Sequence, residues 1–173
     1  MKRGADISAF LQPLAEVPTQ AFLSNVVQTA DILEWILEQT GPAEVWQTSF
    51  SISEEFLRRL HFIQQRNPGT EVHLVLDFKA TQKTLRLWVF LSRVMKSVHL
   101  AENHSKVIVI RPRSAPPVAV VTSQNLTRGN RYEAHTVTSD PPLCAALFDG
   151  VRDIIDNHSV PLDELLGSGP GGG

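Results

Sequence analysis

Two short stretches concentrate the side chains capable of chemistry. His104-Ser105-Lys106 precedes the apolar run VIVI, and Thr122-Ser123-Gln124-Asn125 closes the apolar run VAVV. Residues two apart on a strand point the same way, so His104 and Lys106 are expected side by side, with Ile108 and Ile110 continuing that face inward. A lysine at the head of an apolar strand is costly unless its ammonium meets water, a carboxylate or a bound anion. If the two strands are neighbours, Ser123 and Asn125 present a hydroxyl and an amide to the same point. One imidazole, one ammonium and two neutral donors suit a phosphate: a nucleophile, a charge clamp and oxygen binders. Glu133, on the later run YEAHTV, is a candidate to orient the imidazole from behind. An isolated His-x-Lys is more often a solvated strand corner, and it is the ordered set that favours a phosphate site.

The flanking sequence must supply the elements that hold these residues. TADILEWILEQT has helical spacing and stops at Gly41-Pro42, and Ser53 with Glu54 and Glu55 opens a second helix through SEEFLRRLHFIQQRN. AEVWQTSFSI and EVHLVLDF are β-rich, and TQKTLRLWVFLSRVMK returns to helical period. SVHLAE and HSKVIVI are two strands parted by a polar corner at Glu102 and Asn103. RPRSAPP is a loop, and VAVVTS is apolar enough to be buried on both faces. A turn, NLTRGN, leads to the strand YEAHTV, and Asp140-Pro141-Pro142 opens a helix through LCAALFDGVRDIIDNH. This alternation predicts an α/β layered domain with a mixed sheet over residues 28–166. Residues 1–27, with Pro13 and Pro18 and no clear period, are expected to form an arm packed on the domain; residues 167–173 form a flexible Gly-rich tail.

HSK before one apolar strand and TSQN after the next resemble the HxK and GSxN halves of the phospholipase D superfamily motif, and NLTRGNRYE resembles its continuation to a glutamate. The resemblance implies a phospholipase D-like layered sandwich, a mixed central sheet flanked by helices. It implies a metal-independent phosphodiesterase, most of all a nuclease acting on DNA or RNA. His104 would attack phosphorus to give a phosphohistidine, Lys106 and Asn125 would bind the non-bridging oxygens, Ser123 would assist through a hydrogen bond, and Glu133 would hold the histidine's far nitrogen. The family's cycle needs two HxK histidines and this chain has one, so resemblance to the single-motif members implies a homodimer with one shared site. Two positions depart from the pattern. Arg111 stands where the family has an aspartate, and Thr122 replaces the first glycine of GSxN, where it is expected to narrow the pocket. These departures keep open a non-catalytic nucleic-acid-binding module on the same fold. A lipid phosphodiesterase is disfavoured because no interfacial helix or apolar lid is found.

Arg111, Arg113, Arg128 and Arg131 flank the motif strands and are candidates to track a nucleic-acid backbone, against the alternative of ordinary loop arginines. No aromatic ladder accompanies them, so base reading has no support in the sequence. The remaining histidines lack metal-ligand spacing and Cys144 lacks a thiolate partner, so neither a metal nor another cofactor is expected. At 173 residues and 42% hydrophobic, the chain can bury a single core, and its net charge of −2 argues against a polybasic coat, so any phosphate site must be local. With one cysteine, no signal-like start and no spanning apolar run, the chain is expected to be cytoplasmic and without a membrane partner.

Overall fold

Runs rich in Val and Ile, bounded by Gly, Pro and Asn, become the strands of one sheet, and the amphipathic runs between them become its helices. The structure, a computed structural model, describes residues 6–167. The expected tail lies outside these residues apart from Gly167. The elements are β1 (Thr19–Ser24), α1 (Thr29–Thr40), β2 (Ala43–Thr48), α2 (Glu54–Arg66), β3 (Glu71–Asp77), α3 (Thr81–Arg86), α4 (Trp88–Val94), β4 (Ser97–Ala101), β5 (Val107–Pro112), β6 (Val118–Thr122), β7 (Glu133–Thr138), α5 (Pro141–His158), β8 (Ser159–Pro161) and α6 (Leu162–Gly167).

The eight strands lie in the order β1-β7-β6-β5-β2-β3-β4-β8. β2, β3 and β4 are parallel, joined by helical crossovers, and the other neighbours are antiparallel. The mixed sheet with flanking helices is the α/β layering expected from the sequence. The caps also fall where the residue types place them. The Ser53 hydroxyl accepts the Phe56 N–H at 3.2 Å, and the Asp140 carboxylate accepts the Leu143 N–H at 3.1 Å.

One face of the sheet carries the main core, where Leu33 and Ile36 of α1 and Leu57 and Leu60 of α2 cover strand residues such as Leu74 and Ile108. The other face is covered by α5, through Val151 against Trp46 and Val109. α5 packs over β2, β4, β5, β6 and β8, and on the β1–β7 side of that face Ala21, Leu23 and Ala134 are exposed. Leu23 there is 67% exposed and Val121 of β6 is 43% exposed. The expectation that β6 is buried on both faces is therefore corrected: Ala119 lies under α5, but the strand runs out beyond the helix before it reaches Val121.

Three further features differ from expectation. Residues 19–24 of the expected arm form an edge strand, paired along its length with β7. The helix expected over 81–96 breaks at Leu87, whose N–H turns back to Thr84 O at 3.0 Å. β8 and α6 close the far edge. Among the described residues no helix is long and apolar enough to cross a membrane.

Candidate active site

Strand polarity gathers the chemistry at one end of the sheet. The C-terminal ends of β1, β2 and β6 meet the N-terminal ends of β5 and β7, with β3 ending beside β2. The loops leaving this end carry His104, Lys106, Ser123 and Asn125, and Glu133 begins β7.

His104 is held through its neighbours. The buried Asn103 donates its side-chain Nδ2 to Ser49 O at 3.0 Å, accepts the Ser105 N–H at 3.2 Å, and donates its own N–H to Asp77 Oδ2 at 2.8 Å. The Ser105 hydroxyl lies 2.8 Å from that of Thr48. With both flanking residues pinned, the main chain of His104 has little freedom. Its ring stays exposed, touching Phe50 at a centroid distance of 5.7 Å. Regular pairing of β5 begins only at Val107, so the HSK segment is an extended lead-in rather than the strand's head. One further bond, Thr122 N–H to Lys106 O at 3.1 Å, carries the pairing toward the site. Lys106 Nζ donates to His104 O at 2.9 Å, which sets the ammonium beside the histidine and leaves two of its three protons for a ligand.

The TSQN segment is anchored as firmly. The Ser123 hydroxyl donates to Glu133 and accepts the Ala134 N–H at 3.0 Å. Asn125 Oδ1 accepts the Phe50 N–H at 3.2 Å, which fixes the amide with its Nδ2 donor available. Gln124 is buried: its Oε1 accepts the N–H and hydroxyl of Thr29 at 2.8 and 2.7 Å, and its Nε2 donates to Gln28 Oε1 at 2.9 Å. Gln28 in turn donates to Gly129 O at 3.1 Å, so the first turn of α1 clamps both ends of the 123–129 loop.

His104, Lys106 and Asn125 are thus linked through Phe50, and Ser123 and Glu133 are joined to Lys106 through Thr122. The carboxylate of Glu133, expected behind the imidazole, is engaged within the chain by Ser123. Asn103, Gln124, Ser49, Phe50 and Asp77 were not singled out in the sequence. Their only local signal is that Asn103 and Gln124 adjoin motif residues.

Thr122, the departure from the GSxN pattern, has its hydroxyl engaged within the chain. Its side chain follows Val120 onto the core face, where the hydroxyl accepts the Gln124 N–H at 3.0 Å and lies 2.9 Å from Nδ1 of the buried His135. Burial lowers the His135 pKa from its ordinary value, against a weaker upward pull from Glu133. Arg111 is at the opposite end of β5, roughly 16 Å from Lys106 at about 3.3 Å per residue, and Arg113 lies just beyond it. There Arg111 lies 4.2 Å over the Phe148 ring and 3.5 Å from Glu44, and Arg113 donates to Gly69 O at 3.1 Å. Arg128 and Arg131 are on the site's own loop. Arg128 pairs with Glu55 at 2.6 Å, and Arg131 is exposed. The four arginines therefore form no single path.

No protein-family model and no curated protein sequence matches the chain. Solved structures do. Nuc from Salmonella typhimurium, a phospholipase D family member, superposes with a TM-score of 0.62 at 14% identity, covering 83% of this chain and 97% of that one. This chain has the phospholipase D fold. NucT from Helicobacter pylori matches with a TM-score of 0.58 at 16% identity, over 81% of this chain and 98% of that one. The phospholipase D fold is shared also by TrmBL2, an archaeal chromatin protein whose structure shows a mode of DNA binding, with a TM-score of 0.57 at 8% identity over 88% of this chain and 57% of that one. At such identities the phospholipase D fold is what these proteins have in common, and the chemistry must be read from the residues in hand.

Proposed function

We propose that this protein is a phosphodiesterase that cleaves DNA or RNA through a covalent histidine intermediate. The observation that carries the reading is the exposed ring of His104, fixed by pinned neighbours, with Lys106 Nζ 2.9 Å from its carbonyl oxygen. In this reading a His104 ring nitrogen attacks phosphorus and the bond to the leaving oxygen breaks. The leaving oxygen takes a proton from His104 of a second copy, and water, deprotonated by that same second histidine, then cleaves the phosphorus–nitrogen bond. Lys106 and Asn125 Nδ2 stabilise the non-bridging oxygens as charge builds on them. Ser123, held by Glu133, supplies a further hydrogen bond.

The second copy is supported by the uncovered sheet face beside α5. Leu23 and Val121 there adjoin the strand ends that carry the site, and α5 exposes Leu143, Ala146 and Gly150 at helical spacing. An isologous pair burying these apolar surfaces would bring two copies of the site together.

The decisive experiment is cleavage of labelled single- and double-stranded DNA and RNA in excess EDTA, with His104→Ala in parallel. Cleavage that persists in EDTA and is lost in the variant, together with a phosphohistidine adduct seen by mass spectrometry after acid-free quenching, is the expected result. Sedimentation gives the copy number. Binding without cleavage would favour the second reading, a nucleic-acid-binding module. That reading draws on the same fold in a DNA-binding chromatin protein and on the Lys106 ammonium turned toward the main chain of its own loop.

A further inference from the structure

Most aromatic side chains of the protein pack into the two apolar clusters; Phe50, Phe62, Phe78 and Tyr132 join neither. Phe62 lies on the outer side of α2. The other three are carried by the loops at the His104 end of the sheet, from the β2–α2, β3–α3 and β6–β7 connections. A phenylalanine ring left out of the core forfeits its burial, so two in adjoining loops, with a tyrosine on a third, ask for an occupant.

Phe50 and Phe78 belong to the frame that positions the chemistry. The Phe50 N–H donates to Asn125 Oδ1 at 3.2 Å, and its carbonyl accepts the Asp77 N–H at 3.2 Å. Asp77 anchors Asn103, beside His104, and Phe78 follows Asp77 directly at the start of a short turn capped by that carboxylate. The Phe50 ring meets His104 tilted by 59° and is half-buried, and the Phe78 ring is 40% exposed. Cations are carried by the same loops: Lys79 follows Phe78, Lys106 lies beside His104, and Arg131 precedes Tyr132, which is 75% exposed.

We propose that Phe50 and Phe78 form a base-stacking platform beside His104, and that the protein therefore takes single-stranded nucleic acid. This rests on the phosphodiesterase reading for where the scissile phosphate lies. Aromatic faces combined with cations hold a strand by stacking its bases while the charges follow its backbone, without selecting a sequence. In a duplex each base face is already covered by its neighbour, so a platform at the reacting phosphate engages only unstacked bases.

The test uses the full chain and three probes of equal length: a single-stranded oligonucleotide, its duplex, and a single strand of abasic residues with the same backbone. The protein is expected to bind the normal single strand more tightly than the abasic one by about 5- to 150-fold, the range that stacking one base on an aromatic ring supplies. Phe50→Ala and Phe78→Ala should bring that ratio toward one, and Phe50→Trp should keep it. Because Phe50 is half-buried, the exposed Phe78 provides a variant with little burden on folding. A ratio unchanged in both alanine variants, or a duplex bound as tightly as the single strand, overturns the platform. Base-dependent binding without cleavage supports the platform and removes the phosphodiesterase reading. Cleavage indifferent to the bases overturns the platform and leaves that reading standing.

Discussion

The hydroxyl of Thr122 lies 2.9 Å from Nδ1 of His135, a ring buried behind the TSQN segment. That hydroxyl also accepts the Gln124 N–H, and in either ring tautomer it is the partner that satisfies Nδ1. Among the described residues Nε2 has no partner, so the ring already tolerates one unsatisfied group. Thr122→Ala strips the second and is expected to destabilise the protein by about 1–3 kcal/mol, the cost of a buried polar atom left without its bond. His135→Phe removes both polar atoms. Urea unfolding of the two single variants and the double variant should show the double costing clearly less than the sum.

The same ring predicts acid sensitivity. Burial lowers the pKa of His135, and likewise of His73 and His99. The unfolded chain takes up these protons near the ordinary value of about 6.5, and the folded protein resists them to lower pH. The unfolded state therefore binds more protons in that window, and stability rises with pH through it. It is fully present above about 6.5 and is lost as pH falls toward the folded-state values. Urea midpoints measured from pH 7.5 down to 5 should fall, and His135→Phe should fall less steeply.

Under the proposed histidine chemistry, Asn103 should matter to catalysis without touching substrate. Asn103→Ala removes the bonds to Ser49 and Ser105 that fix one side of His104. A misplacement of the nucleophile by about 1 Å costs on the order of 10²-fold in rate. The expected result is a kcat lowered by about that factor, KM little changed, and stability reduced by about 1–3 kcal/mol. A pure loss of stability with kcat intact would show that His104 does not depend on this anchor.

Arg111 and Arg131 should behave oppositely. Arg111 lies over Phe148 at the end of the sheet remote from His104, so Arg111→Ala is expected to lower stability by about 0.5–1 kcal/mol and leave nucleic-acid affinity unchanged. Arg131 is exposed on the site's loop, and Arg131→Ala should weaken binding and reduce its salt dependence by about one unit of slope. Titrations at several salt concentrations separate the two.

What could be read before the structure follows from range. The alternation of helix and strand, the Ser53 and Asp140 caps and the two motif stretches depend on residues a few positions apart, and the sequence displays such patterns directly. β1 escaped because TQAFLS is short and its partner, β7, lies more than a hundred residues later. The anchoring roles of Asn103 and Gln124 escaped for the same reason, since their partners Ser49 and Thr29 are 54 and 95 positions away. The bare face at Val121 could not be inferred, because an apolar run reads the same whether or not a helix reaches its end. Arg111 looked adjacent to the motif in sequence, yet a fully extended strand carried it to the other end of the sheet.

Ser49 joins the two halves of the site. Its carbonyl receives Asn103 and its hydroxyl accepts the Leu126 N–H at 3.0 Å, while its own N–H reaches Val75 O at 3.0 Å. The β5–β6 hairpin, whose two ends lead directly to His104, Lys106, Ser123 and Asn125, closes from local contacts, whereas Ser49 arrives from the parallel half of the sheet. Refolding should therefore recover strand structure ahead of function, because loop-closure entropy delays the long-range contacts that Ser49 completes. A protein opened between these halves would retain most of its secondary structure and still be silent.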